Sequence, residues 1–304
     1  MANILDIRRR IRSVINTRQI TKAMKMVSAA KLRRAQERAL AARPYAQMLT
    51  NVLKSLVSRA EIYDPETGEP RHPLLAQRPE RNVLLIAVTG DKGLAGAFNT
   101  NILKAAMQFI GEKSGKNIEI ETIGRKGRDF LRRRFVTGEP RTVESNEASR
   151  TIIIGERVGV FNKIDHALAT EIAKRVIERY ANEEIDAVYL IYNEFKTVMS
   201  QKLAIARVLP VEMPREQQPV DYIFEQPPAE LLESLLPRYV EMEIYHALLE
   251  SAAAEHAARM TAMESATSNA AEMIEHLTLY MNRVRQASIT KEIIEVVSGA
   301  LALE

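Results

Sequence analysis

The chain begins and ends with long stretches of helical periodicity. Near both ends, apolar residues recur at spacings of three and four, which is typical of the buried seam of a coiled coil. The first such series is Ile4, Ile7, Ile11 and Val14, and the later ones are Ile274, Leu277, Met281 and Val284, then Ile289, Ile293, Val296, Ala300 and Leu303. We therefore predict one long helix over residues 1–60 and a second over residues 238–304.

Proline positions predict the limits of these helices. Pro44 should kink or interrupt the first helix, because proline lacks a backbone donor and clashes with the preceding turn. Residues 61–80 contain four prolines and are expected to form a linker, and the proline-punctuated residues 212–237 are expected to form a connector. No proline follows in residues 238–304, so the second helix should run uninterrupted to the end of the chain.

The middle of the chain alternates between strand and helix patterns. Strands are predicted at residues 82–89, 118–123, 152–154, 187–195 and 199–211, with helices near 99–110, 127–135 and 162–182. This alternation favours a Rossmann-like α/β domain over residues 81–211. The expected fold class is therefore α/β, with the two terminal helices added to a central layered domain.

Opposite charge distinguishes the two terminal segments. Residues 1–60 hold 14 Lys or Arg against 2 Asp or Glu, whereas residues 238–304 hold 5 against 10. A long helix must bury its apolar stripe, and the oppositely charged segment is the nearest partner. We expect the two helices to pack as an antiparallel coiled coil.

Composition excludes several classes of chemistry. The absence of cysteine excludes disulfides, thiol catalysis and thiolate-bound metals, and favours a reducing compartment. Apolar runs such as residues 83–89 are far shorter than the roughly 20 residues of a membrane span, which favours a soluble or peripheral protein. The five histidines show no metal-ligand spacing, and no nucleophile elbow is present. Neither a metal nor a cofactor is expected.

A glycine-rich turn and a basic helix are the two candidate binding features. Gly90, Gly93 and Gly96 follow the first predicted strand, where exposed amides can hold phosphate. Their spacing fits neither a P-loop nor a dinucleotide fingerprint, so a structural turn is favoured over a phosphate site or a partner surface. The basic first helix could bind nucleic acid, yet it has no aromatic residue before Tyr45, and the acidic helix competes for its charges. A nucleic-acid-binding helical protein and a nucleotide-dependent α/β enzyme remain the alternative functions.

Four strings point to a known family. They are ITKAM followed by MVSAAKLR at residues 20–24 and 26–33, TGDKGLAGAFN at 89–99, AARMTAM at 257–263 and ITKEIIEVVSGA at 289–300. Together they resemble the gamma subunit of the F-type rotary ATP synthase, of the bacterial type. The resemblance covers essentially the whole chain. It also explains the Arg-rich start as the family's own N-terminus, rather than as the transit peptide that such a composition can indicate.

The resemblance implies a non-catalytic central-stalk rotor. Its terminal helices would enter an alternating alpha/beta hexamer, and its α/β domain would lie near the epsilon subunit and the membrane c-ring. Rotation would couple ion flow to ATP synthesis at the cytoplasmic face of the bacterial plasma membrane, with no nucleic-acid partner. The implied contacts with the surrounding hexamer are Met24, Arg259, Arg285, Gln286 and Thr290. The alternative for Met24 and Thr290 is that they are only seam residues. The implied bearing tip comprises Ile289, Ile293, Val296, Ala300 and Leu303.

Overall fold

Two long helices and a six-stranded sheet make up the described part of the chain. The computed structural model describes residues 4–57, 70–140, 150–162, 164–212 and 225–301. The helices are α1 (Ile4–Val57), α2 (Phe98–Glu112), α3 (Arg125–Leu131), α4 (His166–Ala181) and α5 (Pro228–Leu301), with short 3₁₀ turns at Pro73–Leu75 and Val160–Asn162. The strands are β1 (Asn82–Val88), β2 (Asn117–Ile123), β3 (Val136–Thr137), β4 (Thr151–Arg157), β5 (Ala187–Phe195) and β6 (Gln201–Leu209).

The sheet is doubly wound. Its strand order is β3-β4-β2-β1-β5-β6, and the pairs are parallel except for the antiparallel pair β5 and β6. The chain moves outward from β1 through β2 to the edge strand β3, steps back to β4, and then returns past β1 to β5. Because crossovers between parallel strands are right-handed, this reversal places helices on both faces of the sheet. The predicted Rossmann-like α/β class is confirmed.

Each face of the sheet packs against its own set of helices. Apolar residues of β1 alternate between the faces, so that Val83 and Leu85 join a cluster with α2, while Leu84 and Ile86 join a cluster with α4. Near-continuous apolar sequence in β1 is what a parallel strand covered on both sides requires. Helix α5 contributes to both clusters, with residues 232–248 in the first and residues 254–258 in the second.

Two carboxylates on β2 are buried and neutralised by arginines. Glu119 accepts a hydrogen bond from Arg179 of α4 at 2.6 Å, and Glu121 accepts one from Arg157 at 2.9 Å and another from Arg175. Both glutamates are almost fully buried. Burial of a charge is tolerated when it is paired and hydrogen-bonded, so these pairs allow charged residues inside the layered domain.

The chain forms two compact units, residues 1–30 with 259–304 (the terminal unit) and residues 31–258 (the central unit). Within the terminal unit, α1 and α5 run antiparallel. Thr267 donates a hydrogen bond to Thr21 between hydroxyl oxygens 2.8 Å apart, and Lys25 forms an ion pair with Glu264. Ile7 is buried in this seam, and the other seam residues are half-buried: Ile4, Ile11, Val14, Ile274, Leu277, Met281 and Val284. The predicted antiparallel coiled coil is confirmed.

Both long helices continue through prolines that the sequence analysis places at or near their limits. Helix α1 is not interrupted at Pro44. Helix α5 begins at Pro228 and passes through Pro237, so residues 228–237 are helix rather than connector. Proline is well suited to a first helical turn, where its missing N–H would have no partner anyway. Beside Pro237, burial of Leu232, Leu236 and Val240 offsets the lost hydrogen bond.

Smaller differences occur at the predicted linker and at the sheet edge. Residues 61–69 of the linker lie outside the described residues. The later part of the linker includes Leu74 and Leu75, which are buried in the central core, so this part packs as a component of the domain. The two-residue strand β3 was not predicted, since two residues carry no periodicity. The two compact units also divide the chain differently from the predicted domain boundaries at residues 60, 80, 211 and 237.

Candidate functional site

The glycine turn after β1 lies at the position where a doubly wound sheet usually binds a ligand. That position is the crevice beyond the carboxyl ends of the strands, where the strand order reverses. Here β1 is flanked by β2 and β5, so the crevice opens beside Thr89 and Gly90. Thr89 Oγ1 donates to the Ile123 carbonyl at 2.9 Å and accepts from the Gly127 amide at 2.8 Å. The Gly90 amide donates to Asn99 Oδ1 at 2.9 Å. The turn is thus held by its own hydrogen bonds.

Helix α5 places one carboxylate near the end of β1 and another near the end of β5. A Cβ atom placed on Gly90 would lie only 2.6 Å from Oε1 of Glu255, which is 3% exposed. At the end of β5, the Phe195 amide donates to Oε2 of the buried Glu250 at 3.0 Å. Glu255 therefore occupies the space beside Gly90 through which a phosphate would have to approach the backbone. The arrangement therefore favours the structural-turn interpretation of Gly90, Gly93 and Gly96 over a phosphate site.

His72 and His166 pack against other parts of the protein. Among the described residues, no group of three or more His, Asp or Glu side chains has metal-binding geometry. His72 Nδ1 accepts a hydrogen bond from the Leu74 amide at 3.1 Å, and burial lowers the pKa of its ring. His166 packs edge-on against Tyr245, with ring centroids 5.2 Å apart. These histidines have structural surroundings.

The predicted hexamer contacts fall into two groups in the terminal unit. Arg285, Gln286 and Thr290 are exposed within two turns of α5, and Thr290 Oγ1 donates to the Gln286 carbonyl at 2.9 Å. Met24 is half-buried, and Arg259 is 8% exposed. Arg259 precedes Arg285 by 26 residues of helix, which is about 39 Å at 1.5 Å per residue. The five residues therefore do not form one site; they mark separate levels along a shaft.

The last described turns of α5 present apolar side chains to solvent. Ile289, Ile293 and Val296 are 48%, 58% and 72% exposed, and Ile294 and Val297 are also exposed. The sequence analysis identified the first three, but Ile294 and Val297 lie off the seam and were missed. The side chain of Ala300 and the whole of Leu303 lie outside the described residues.

The register of the terminal unit explains this exposure. With Thr21 against Thr267 and Lys25 against Glu264, an antiparallel pair of constant register places Ile4 opposite Val284. Helix α5 continues from there to Leu301, beyond the first described residue of α1. An exposed apolar patch on several faces of a helix marks an interaction surface.

The hydropathy of the helices shows whether any of them could span a membrane. Within the described ranges, none of the helices combines the length and the apolar character of a transmembrane segment.

The fold and these surfaces define a class of protein: a two-helix shaft with an apolar end, joined in sequence to a doubly wound domain in which a glutamate of α5 packs against the glycine turn. A family model described as ATP synthase matches residues 3–303. The ATP synthase gamma chain of Solibacter usitatus is 62% identical over 304 residues, and that of Pelotomaculum thermopropionicum is 47% identical over 307 residues, with complete coverage of each chain in both cases. The chain therefore belongs to the ATP synthase gamma-chain family.

Solved structures share the fold. The chain is similar to one in the rotor of the Euglena gracilis mitochondrial ATP synthase, with 20% identity and a TM-score of 0.62 over 94% of this chain and 98% of that chain. It is also similar to a chain in the central stalk and c-ring structure of the Tetrahymena thermophila mitochondrial ATP synthase. That match has 24% identity and a TM-score of 0.57, and covers 81% of this chain and 99% of that chain.

Proposed function

We propose that this chain is the central-stalk rotor of an F-type ATP synthase, coupling ion flow through a membrane c-ring to ATP synthesis in an alpha/beta hexamer. The observation that carries the proposal is the apolar end of α5, which extends beyond α1 with Ile293 and Val296 more than half exposed. Such a surface needs a surrounding partner. Membership of the gamma-chain family and the rotor fold of the solved structures support the same role.

The apolar end suits a bearing. Apolar contacts are non-directional, whereas hydrogen bonds hold preferred orientations. A tip made of Ile289, Ile293 and Val296 can therefore turn inside an apolar collar without breaking a fixed set of polar contacts. The proposed bearing tip also includes Ala300 and Leu303.

Polar side chains below the tip are suited to transmit force. Arg285, Gln286 and Thr290 are exposed, and an arginine can form charge-assisted hydrogen bonds with carboxylates of a partner. Because a single pair of helices is asymmetric, its rotation presents different faces to successive subunits of the hexamer. Met24 and Arg259 are proposed contacts at a lower level of the shaft.

The central domain is assigned to the membrane side of the complex, near the epsilon subunit and the c-ring. The chain would then be peripheral, at the cytoplasmic face of a bacterial plasma membrane. It would not itself catalyse ATP hydrolysis or synthesis, because the Gly90 amide donates to Asn99 and Glu255 packs against this glycine, where a nucleotide phosphate would bind. Catalysis would belong to the hexamer.

Expression with and without partner subunits tests the proposal. Alone, the purified chain should neither hydrolyse ATP nor bind nucleotide tightly. Expressed together with alpha and beta subunits, it should purify as one copy per hexamer and confer coupled turnover. Saturable ATPase activity of the lone chain would instead support the enzyme alternative, and failure to join the hexamer would contradict the rotor assignment.

A further inference from the structure

Glu250 of α5 lies where three elements of the central unit meet. Its side chain is only 2% exposed. Oε1 lies 3.4 Å from Nη2 of Arg43 on α1 and 3.5 Å from Nε2 of His246 one turn earlier on α5. Oε2 accepts the backbone N–H of Phe195, the last residue of β5, at 3.0 Å. One carboxylate thus contacts the first helix, the last helix and the end of a central strand.

The contact at Phe195 connects Glu250 to the sheet. Phe195 pairs with Gln201 across the β5–β6 hairpin, so its amide moves with the sheet. Arg43 belongs to α1, and Leu49 and Leu53 of the same helix pack in the apolar cluster between the sheet and α4. The Glu250 carboxylate therefore joins the two long helices to the sheet through directional bonds.

Directional bonds fix the register of packed helices more strictly than apolar contacts do. Apolar packing opposes separation of two helices, but it discriminates weakly between neighbouring registers, since it is non-directional. A buried carboxylate is different, because a small slide or twist removes its donors while it stays buried, and an unpaired buried charge is strongly unfavourable. Fixing the register of helices is the best-attested role of buried polar residues in coiled coils.

We propose that Glu250 is a positioning residue that locks the axial and rotational register of α1 and α5 against the sheet, so that rotation of the helices and rotation of the central domain stay equal. This inference rests on the proposed rotor function. Glu250 touches no nucleotide in this scheme and acts only through the shaft. Without the Glu250 bonds, the helices would twist relative to the domain under load. ATP hydrolysis would then continue, but fewer ions would be pumped across the membrane for each ATP hydrolysed.

The test compares ATP hydrolysis with ATP-driven ion pumping in the complete ATP synthase reconstituted into vesicles. In Glu250→Gln, we expect pumping per ATP hydrolysed to fall at least about threefold, with hydrolysis within about twofold of wild type. Arg43→Ala removes one donor from α1 and leaves the Phe195 bond, so it should lower the same ratio by a smaller factor. Arg43→Lys keeps the positive charge and should restore most of the ratio.

Glu119→Gln is the matched control. Glu119 is another carboxylate only 2% exposed, and its partner Arg179 ties β2 to α4. Its loss should lower the melting temperature of the chain while leaving the pumping ratio at the wild-type value. If Glu250→Gln does not assemble, Arg43→Ala and Arg43→Lys carry the test, because Arg43 is half exposed.

Two results would overturn the register lock. One is a wild-type pumping ratio in both Glu250→Gln and Arg43→Ala, and the other is an equal fall of the ratio in Glu119→Gln. These outcomes are distinct from failure of the rotor function itself, which would appear in the wild-type chain as failure to join the hexamer or to pump.

Discussion

A disulfide between positions 21 and 267 tests the antiparallel register of the two long helices. In the double variant Thr21→Cys with Thr267→Cys, the sulfur atoms replace hydroxyl oxygens that are 2.8 Å apart. Side chains that already meet in this way suit the short Cβ separation of a disulfide, about 3.5–4.5 Å. The chain contains no cysteine, so no other thiol competes. We expect nearly complete oxidation to an intramolecular disulfide.

The size of the stabilisation follows from the length of the closed loop. For a loop of about 250 residues, loss of chain entropy in the unfolded state gives an upper limit of about 5 kcal/mol. Engineered disulfides usually give less because they strain the native state, so about 2–4 kcal/mol is a reasonable expectation. For a chain of this size, that corresponds to a rise in melting temperature of about 3–6 °C, reversed by a reducing agent.

Non-reducing electrophoresis and thermal unfolding of the isolated chain provide the assay. The control pair is Met26→Cys with Thr267→Cys, because the Met26 side chain is 64% exposed and lies off the seam. This control should remain largely reduced and show no shift in melting temperature. The reasoning about the coiled coil would be refuted if the 21–267 pair failed to oxidise, or if the control pair oxidised equally well.

Three further substitutions test the contacts, electrostatics and packing. Arg285→Glu should lower ATP-driven pumping of the assembled complex severalfold while the isolated chain keeps its melting temperature, and unchanged pumping would count against a hexamer contact. Burial alone would raise the pKa of Glu80, but hydrogen bonds from Lys113, Lys116 and Tyr189 hold it at about 2. Since this pKa lies below its unfolded value, Glu80 contributes stability above about pH 4.5 that is lost as the pH falls towards 2. Glu80→Gln should therefore cost about 1–2 kcal/mol at pH 7 and almost nothing near pH 2 in denaturant titrations, and an equal cost at both pH values would refute this. Gly90→Ala should cost about 1–3 kcal/mol because its Cβ would meet Glu255 Oε1 at 2.6 Å. That cost should shrink in a Glu255→Ala background, and a strictly additive double variant would show that the clash is not its cause.

Periodicity predicted most of the fold because the elements are long and their apolar residues are regular. The 3-4 spacing identified the seams at both ends, and the apolar run of β1 matched a strand buried on both faces. Opposite charge predicted that the two segments pair, and the contacts of Thr21 and Lys25 confirm the predicted antiparallel arrangement. Local sequence is sufficient here, since each feature repeats over several turns or strands.

Tertiary packing decided the features that the sequence did not reveal. Pro237 is tolerated inside α5 because neighbouring leucines are buried in the central core. The contacts of Glu250 and Glu255 are with residues far away in the sequence, such as Phe195 and Gly90. No local pattern distinguishes these glutamates from solvated ones on the same helix.

The most direct test of the rotor assignment is to watch the central domain while the hexamer hydrolyses ATP. Met199 is 81% exposed in the turn between β5 and β6, so Met199→Cys gives a single reactive thiol in a chain that otherwise has none. With the alpha/beta hexamer fixed to a surface and an optical probe attached at position 199, addition of ATP should produce sustained rotation in one direction. A stationary probe on complexes that hydrolyse ATP at the normal rate would contradict the account.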